Sequence, residues 1–124
     1  MIFVTGGTGL VGSHILLKLS QSNISFKALK RESSSLDICK DVFTYYNAES
    51  QFNQIIWING DVNDIPSLEE GMKNCTKVIH AAAIVSFHNN DQEIMCKINV
   101  EGTINIVNVA LSVGITKLAY ISSI

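Results

Sequence analysis

The three cysteines, Cys39, Cys75 and Cys96, are odd in number and widely spaced, and no C-x-x-C occurs. Neither a disulfide framework nor a zinc site is supported. Reduced cytosolic thiols in or near a core are expected instead. The histidines show no metal-ligand spacing either: His14 falls in a helical stretch, His80 at a strand and His88 in a polar loop. A net charge of −2 gives no electrostatic case for nucleic acid or an anionic membrane. No apolar run approaches the roughly eighteen residues needed to span a bilayer. Met1 leads straight into an apolar run, which leaves no room for a signal peptide, so a cytoplasmic protein is expected. No repeat, low-complexity tract or linker divides the 124 residues, so one domain at most is expected.

What the chain does have is apolar content and glycine in one place. It is 47% hydrophobic, with a mean hydropathy of +0.26, enough for a well-filled core. The run Ile2-Phe3-Val4 reads as a short buried strand. Thr5-Gly6-Gly7-Thr8-Gly9-Leu10-Val11-Gly12 follows, and residues 10–19 have helical apolar spacing. Strand, glycine turn and helix are the context of a dinucleotide fingerprint. The helix N-terminus offers unpaired N–H groups and partial positive charge to an anion. Gly6 permits a tight turn with positive φ, Gly9 lets a pyrophosphate approach the backbone, and Gly12 lets the helix pack closely. Two registers overlap, G-x-G-x-x-G at Gly7, Gly9 and Gly12 and G-x-x-G-x-x-G at Gly6, Gly9 and Gly12.

Phe26-Lys27-Ala28-Leu29 reads as the second strand. In a dinucleotide fold its end meets the adenosine ribose, where an acidic residue binds the 2′-hydroxyl of NAD. Here Lys30 and Arg31 occupy that place, followed by Glu32 and serines. A guanidinium can fork onto a 2′-phosphate, so NADP is favoured, with NAD possible through Glu32. Residues 36–50 fit one amphipathic helix after a serine cap. Ile55-Ile56-Trp57-Ile58 reads as a strand buried on both faces. Asp61, just past it, can accept from an adenine amino group with the Val62 backbone beside it, or can simply hold a turn. Pro66 suits the first turn of a short helix over 66–72. Lys77-Val78-Ile79-His80 is the fourth strand, and the minimal side chains of Ala81, Ala82 and Ala83 after it let a flat ligand lie against the backbone. His80 itself reads more readily as a packed histidine than as a catalyst.

Residues 91–113 carry the longest helical pattern. Ile94, Ile98, Gly102, Ile106, Val109 and Val113 make one apolar face, expected on the sheet, and Val100, Ile104, Val107 and Leu111 a second. Gly114 is a plausible C-cap. Residues 117–121 form the fifth strand, ending at Ser122 and Ser123. Alternating strands and helices predict an α/β Rossmann fold, a doubly wound parallel sheet with right-handed crossovers.

Five stretches in order resemble the extended short-chain dehydrogenase/reductase family, also grouped as NAD-dependent epimerase/dehydratases. They are residues 5–12, Gly60-Asp61-Val62, His80-Ala81-Ala82-Ala83, Asn99-Val100-Glu101-Gly102-Thr103 and Tyr120-Ile121-Ser122-Ser123. The wording of residues 80–87 looks most like the branch of 3β-hydroxysteroid dehydrogenases and dihydroflavonol-type reductases. The resemblance implies a pyrophosphate turn at Gly6, Gly9 and Gly12, with Thr8, Leu10 and Val11 beside the phosphates. It implies adenine contacts at Asp61 and Val62, and a wall along ribose and nicotinamide at Ala81, Ala82 and Ala83. Asn99 corresponds to an asparagine that supports the active site, and Ser123 to the catalytic serine that binds the substrate oxygen.

The family's tyrosine and lysine, spaced Y-x-x-x-K, do not occur: Tyr45, Tyr46 and Tyr120 are followed four residues on by Glu49, Ser50 and Ile124. The chain is therefore expected to be the NAD(P)-binding part of a longer oxidoreductase, epimerase or dehydratase acting on a small hydroxy or keto substrate, truncated after the fifth strand and inactive alone. An open strand edge and an uncovered helix face then predict a homodimer or other self-association through residues 91–113. A non-catalytic dinucleotide-binding or sensor protein is the competing expectation. A P-loop is disfavoured, because no Lys-Ser or Lys-Thr follows the glycines.

Overall fold

The computed structural model describes residues 1–122. Its centre is a five-stranded parallel sheet in the order β3-β2-β1-β4-β5, with β1 Ile2–Thr5, β2 Phe26–Lys30, β3 Ile56–Asn59, β4 Lys77–His80 and β5 Lys117–Tyr120. The chain runs outward from β1 to β3, then returns to place β4 on the other side of β1. That reversal leaves a crevice at the C-terminal ends of β1 and β4, where open α/β sheets bind ligands.

Two cores lie on opposite faces of the sheet, because neighbouring strand residues point to opposite sides. Val4 and Ala28 face α1 (Leu10–Gln21) and α2 (Asp37–Tyr45), packing with Leu16, Leu17, Val42 and Phe43. Phe3, Leu29 and Val78 face α4 (Ile65–Met72) and α6 (Gly102–Val113), packing with Leu68, Met72, Ile106 and Val109. The doubly wound architecture expected from the sequence is thus the one observed.

Three details differ from expectation. Residues 36–50 do not form one helix: α2 ends at Tyr45, Asn47 takes a left-handed φ of 55°, and a short α3 (Glu49–Phe52) begins after Ala48. Asparagine tolerates that backbone, so it breaks the periodic pattern. The β3 strand is not buried on both faces. It is the sheet edge, and Ile56 is 49% exposed. The long helix is regular at its two ends only. A 3₁₀ turn at Asn89–Asp91 leads into α5 (Gln92–Cys96), then a π turn at Lys97–Glu101, then α6, which ends on Gly114 at φ 83°. Within the π turn the Gly102 N–H reaches back five residues to the Lys97 carbonyl.

Only the middle of this helix's first apolar face lies on the sheet. Gly102, Ile106 and Val109 are buried, while Ile94 and Val113 at its ends are exposed. The close approach at Gly102 is to the Val62 side chain. The second face, Val100, Ile104, Val107 and Leu111, stands in solvent. Among the described residues Asn89–Val113 is the one helix long and apolar enough, by length and composition, to cross a membrane. It is docked here by polar side chains as well: Asn105 donates to the Val62 carbonyl, and Asn99 and Thr103 bond to groups beside the crevice.

Candidate functional site

The crevice forms a cleft of about 180 Å³ built from the ends of four strands. Gly6, Thr8 and Gly9 enter from β1, and Leu29, Lys30, Arg31 and Ser34 from β2. Gly60, Asp61 and Val62 come from β3, Ala81, Ala82, Ala83 and Ile84 from β4, and Ile98 from the long helix.

The glycine turn is held from both sides. Gly6 has φ 78°, and a Cβ there would stand 2.4 Å from the Ala81 backbone. A Cβ on Gly12 would stand 1.8 Å from the Gly6 carbonyl oxygen. Gly7 has an ordinary φ, and its bare Cα accommodates the Leu16 side chain from the core. The structural requirement for a bare Cα backed by rigid backbone therefore falls on Gly6 and Gly12. At Gly9 a Cβ would meet only the Gly6 carbonyl oxygen, at 3.6 Å. Space thus lies above Gly9, where α1 starts with no side-chain cap and no acidic residue in its first turn. Its first N–H groups are presented to that space, the arrangement that binds anions. Leu10 and Val11 are 63% and 58% exposed on the same turn and do not line the cleft.

At the far end Lys30 and Arg31 bring two positive charges, while Glu32 lines an adjoining shallow groove shared with Arg31. Asp61 holds the turn and also faces the cleft. Its Oδ1 accepts the Asn63 N–H at 2.9 Å, holding the turn, and it still lines the cleft. Ser67 Oγ bridges this turn to α4, accepting the Asp61 N–H at 3.1 Å.

The floor is the strip after β4. Ala81 N–H donates to the Thr5 carbonyl and Ala82 N–H to Thr5 Oγ1. Asn99, on the π turn, clamps Ile84 both ways: its Oδ1 accepts the Ile84 N–H and its Nδ2 donates to the Ile84 carbonyl, each at 2.8 Å. Beyond it, the Ser86 hydroxyl donates to Asp91. Beneath the floor, His80 is fully buried between Thr5 and Thr103, with its ring stacked on Tyr120 at 5.5 Å. Burial without a charged partner pushes its pKa down to about 4, so the ring is neutral at ordinary pH.

The structure therefore brings Gly6, Thr8, Gly9, Arg31, Asp61, Val62, Ala81, Ala82 and Ala83 to one cleft, with Gly12 directly behind the turn. Ser123 lies outside the described residues. Sequence reasoning gave no site role to Thr5 or Thr103, and read Ile98 only as part of an apolar helix face. For the first two a signal existed, because a histidine buried at a strand end requires hydrogen-bond partners.

The profile of the 3-beta hydroxysteroid dehydrogenase/isomerase family matches residues 3–124. The chain is 35% identical over 122 residues to a putative dihydroflavonol 4-reductase of Synechocystis, covering 98% of this chain and 32% of that protein. It is 32% identical over 123 residues to a monkeypox virus 3 beta-hydroxysteroid dehydrogenase/Delta 5-->4-isomerase, covering 97% and 33%. It shares its fold with a UDP-glucose-4-epimerase of Stenotrophomonas maltophila solved with bound NAD and formylated UDP-arabinopyranose. That likeness has a TM-score of 0.78 and 23% identity, over 98% of this chain and 36% of that one. The chain spans about a third of the length of the curated relatives it matches.

Proposed function

Because the chain belongs to the 3-beta hydroxysteroid dehydrogenase/isomerase family, we propose that it is the dinucleotide-binding part of an NAD(P)-dependent oxidoreductase or epimerase acting on a small hydroxy or keto substrate. The observation that carries this is the open space above Gly9, walled by the uncapped start of α1 and continuous with the strip of Ala81, Ala82 and Ala83. A pyrophosphate fits there on backbone N–H groups, with no side chain in its way and a helix dipole behind it.

The remaining parts follow from their places in the cleft. Thr8 flanks the phosphates, with Leu10 and Val11 supplying backbone on the same turn. Asp61 keeps its second oxygen for the adenine amino group, with the Val62 backbone beside it. The Ala81, Ala82 and Ala83 strip is flat enough for the ribose and nicotinamide to rest on. A bound nicotinamide would supply hydride transfer, and the chain's own part is to hold and orient it. Ser123 is proposed as the hydroxyl that binds the substrate oxygen. The 124 residues hold no Y-x-x-x-K pair, so binding rather than turnover is proposed for them alone. The cysteines are unpaired, which suits a reduced cytoplasmic setting.

NADP is proposed over NAD because Arg31 and Lys30 line the cleft while Glu32 lies outside it. Titration of the purified chain with NADPH and NADH, in parallel with Arg31→Ala, tests both points. Tighter NADPH binding, with the preference lost in the variant, is expected. Equal affinities unchanged by the substitution would remove Arg31 as the 2′-phosphate reader. Binding of neither would refute the site.

Self-association is proposed through the long helix. Its face of Val100, Ile104, Val107 and Leu111 is exposed.

A further inference from the structure

His80 lines no part of the cleft, yet both of its ring nitrogens are engaged, and the directions of those bonds are determined. The Thr103 hydroxyl donates its single proton to the Asn99 carbonyl, at 2.7 Å. Thr103 Oγ1 can therefore only accept from His80 Nε2, 2.9 Å away, so the imidazole proton sits on Nε2. A neutral ring then has a bare Nδ1, and Thr5 Oγ1, at 2.6 Å, must donate to it. Thr5 Oγ1 in turn accepts the Ala82 N–H at 3.3 Å. One directed chain results, from the Ala82 N–H through Thr5, His80 and Thr103 to the Asn99 carbonyl. The side chain of that same Asn99 holds Ile84 at the other end of the strip.

The strip is thus tied at both ends to one turn of one helix. The tie at Ala82 runs through β1 and β4, whose residues Thr5 and His80 are in register across the sheet. Ala82 also lies against the glycine turn, since a Cβ on Gly6 would meet its nitrogen at 2.5 Å. A shift of the Ala82 backbone would therefore move the strip against Gly6.

We infer that His80 is a positioning residue for the cofactor floor: held as the Nε2–H tautomer, it links the Ala82 backbone to the π turn of the long helix and so sets the spacing between floor and glycine turn. It rests on the assignment of that floor to a dinucleotide. His80 itself touches no ligand. Its role goes through Thr5, and a lone apolar residue of the same volume would not reproduce it.

The test uses the ¹⁵N-labelled chain. Long-range ¹⁵N–¹H correlation is expected to show His80 in the Nε2–H form, and the Ala82 amide is expected to exchange slowly with solvent. Thr103→Val, which removes the acceptor for Nε2–H, is expected to speed Ala82 exchange and weaken NADH binding, each by about tenfold. Thr103→Ser keeps the hydroxyl and is expected to restore both. A Nδ1–H tautomer in the unsubstituted chain would overturn the proposal, and so would unchanged Ala82 exchange and NADH affinity in Thr103→Val. Because the tautomer is read without any substitution, it decides the point even where Thr103→Val does not fold. Absence of binding of both NADPH and NADH by the unsubstituted chain would instead refute the cofactor assignment, and the tautomer and Ala82 exchange would still decide whether His80 positions the strip.

Discussion

Gly12 and Gly6 meet backbone to backbone: a Cβ on Gly12 would stand 1.8 Å from the Gly6 carbonyl oxygen. The first helix thus starts in direct contact with the turn that precedes it, and the turn keeps its shape only while both positions are bare.

Gly12→Ala and Gly9→Ala should therefore separate folding from binding. The first places a methyl group on backbone that cannot yield, and a loss of about 2–4 kcal/mol is expected. The second meets ordinary contact at 3.6 Å, at a φ of −85° open to any residue. Its stability should change by less than about 1 kcal/mol, while NADH affinity falls by about tenfold or more. Urea unfolding and NADH titration read the two effects, and equal destabilisation in both variants would contradict the distinction.

Asn99→Leu removes both bonds to Ile84 while keeping bulk. A loss of about 1–3 kcal/mol is expected, with faster amide exchange confined to residues 82–86. Exchange rising equally in β1 and β2 would show that the helix itself had moved.

Acid should weaken the fold through His80. Its pKa is about 4 in the folded chain, against about 6.5 when unfolded. Between those values the unfolded state binds the extra proton, so stability rises with pH there. The contribution is complete above about pH 6.5 and falls away as pH drops toward 4, by up to about 3 kcal/mol in total. Tyr120 is the titratable group stacked on the ring. The His80 ring resonances followed by NMR should titrate near pH 4. A midpoint near 6.5 would contradict the burial that sets it.

Ile104→Glu places a charge in the middle of the exposed apolar face of the long helix. The unsubstituted chain is expected to sediment above monomer mass at tens of micromolar, and Ile104→Glu as a monomer with the same NADH affinity. A monomeric unsubstituted chain would end the case for self-association.

Much of this was legible in the sequence because one feature served one purpose. Gly6 and Gly12 mark a turn that few other residues can make. The strand runs at residues 2–4, 26–29 and 77–80 are short, apolar and bounded by turns. The second apolar face of the long helix, from Val100 to Leu111, is read directly from the periodicity, although that pattern implies a covered face and the structure leaves it exposed. What escaped depended on contacts between distant residues. Ile56 reads as buried until the strand order puts β3 at the edge. The break at Asn47 is a backbone choice that apolar periodicity does not register. Thr5 and Thr103 are 98 positions apart in the chain, and their shared attachment to His80 exists only once β1, β4 and the long helix are assembled.

The π turn at Lys97–Glu101 carries one residue more than an α-helical turn would. Each helical residue advances the spiral by about 100°, so this extra residue acts as a phase shift between the two halves of one rod. The N-terminal half can be indexed to the loop that Asn99 grips, and the C-terminal half to the sheet that Ile106 and Val109 cover. Deleting one residue within the turn would restore a regular spiral and bring the two halves into step. Either the loop or the sheet would then lose its partner. The irregularity is the gearing that lets one continuous helical run serve both the loop and the sheet.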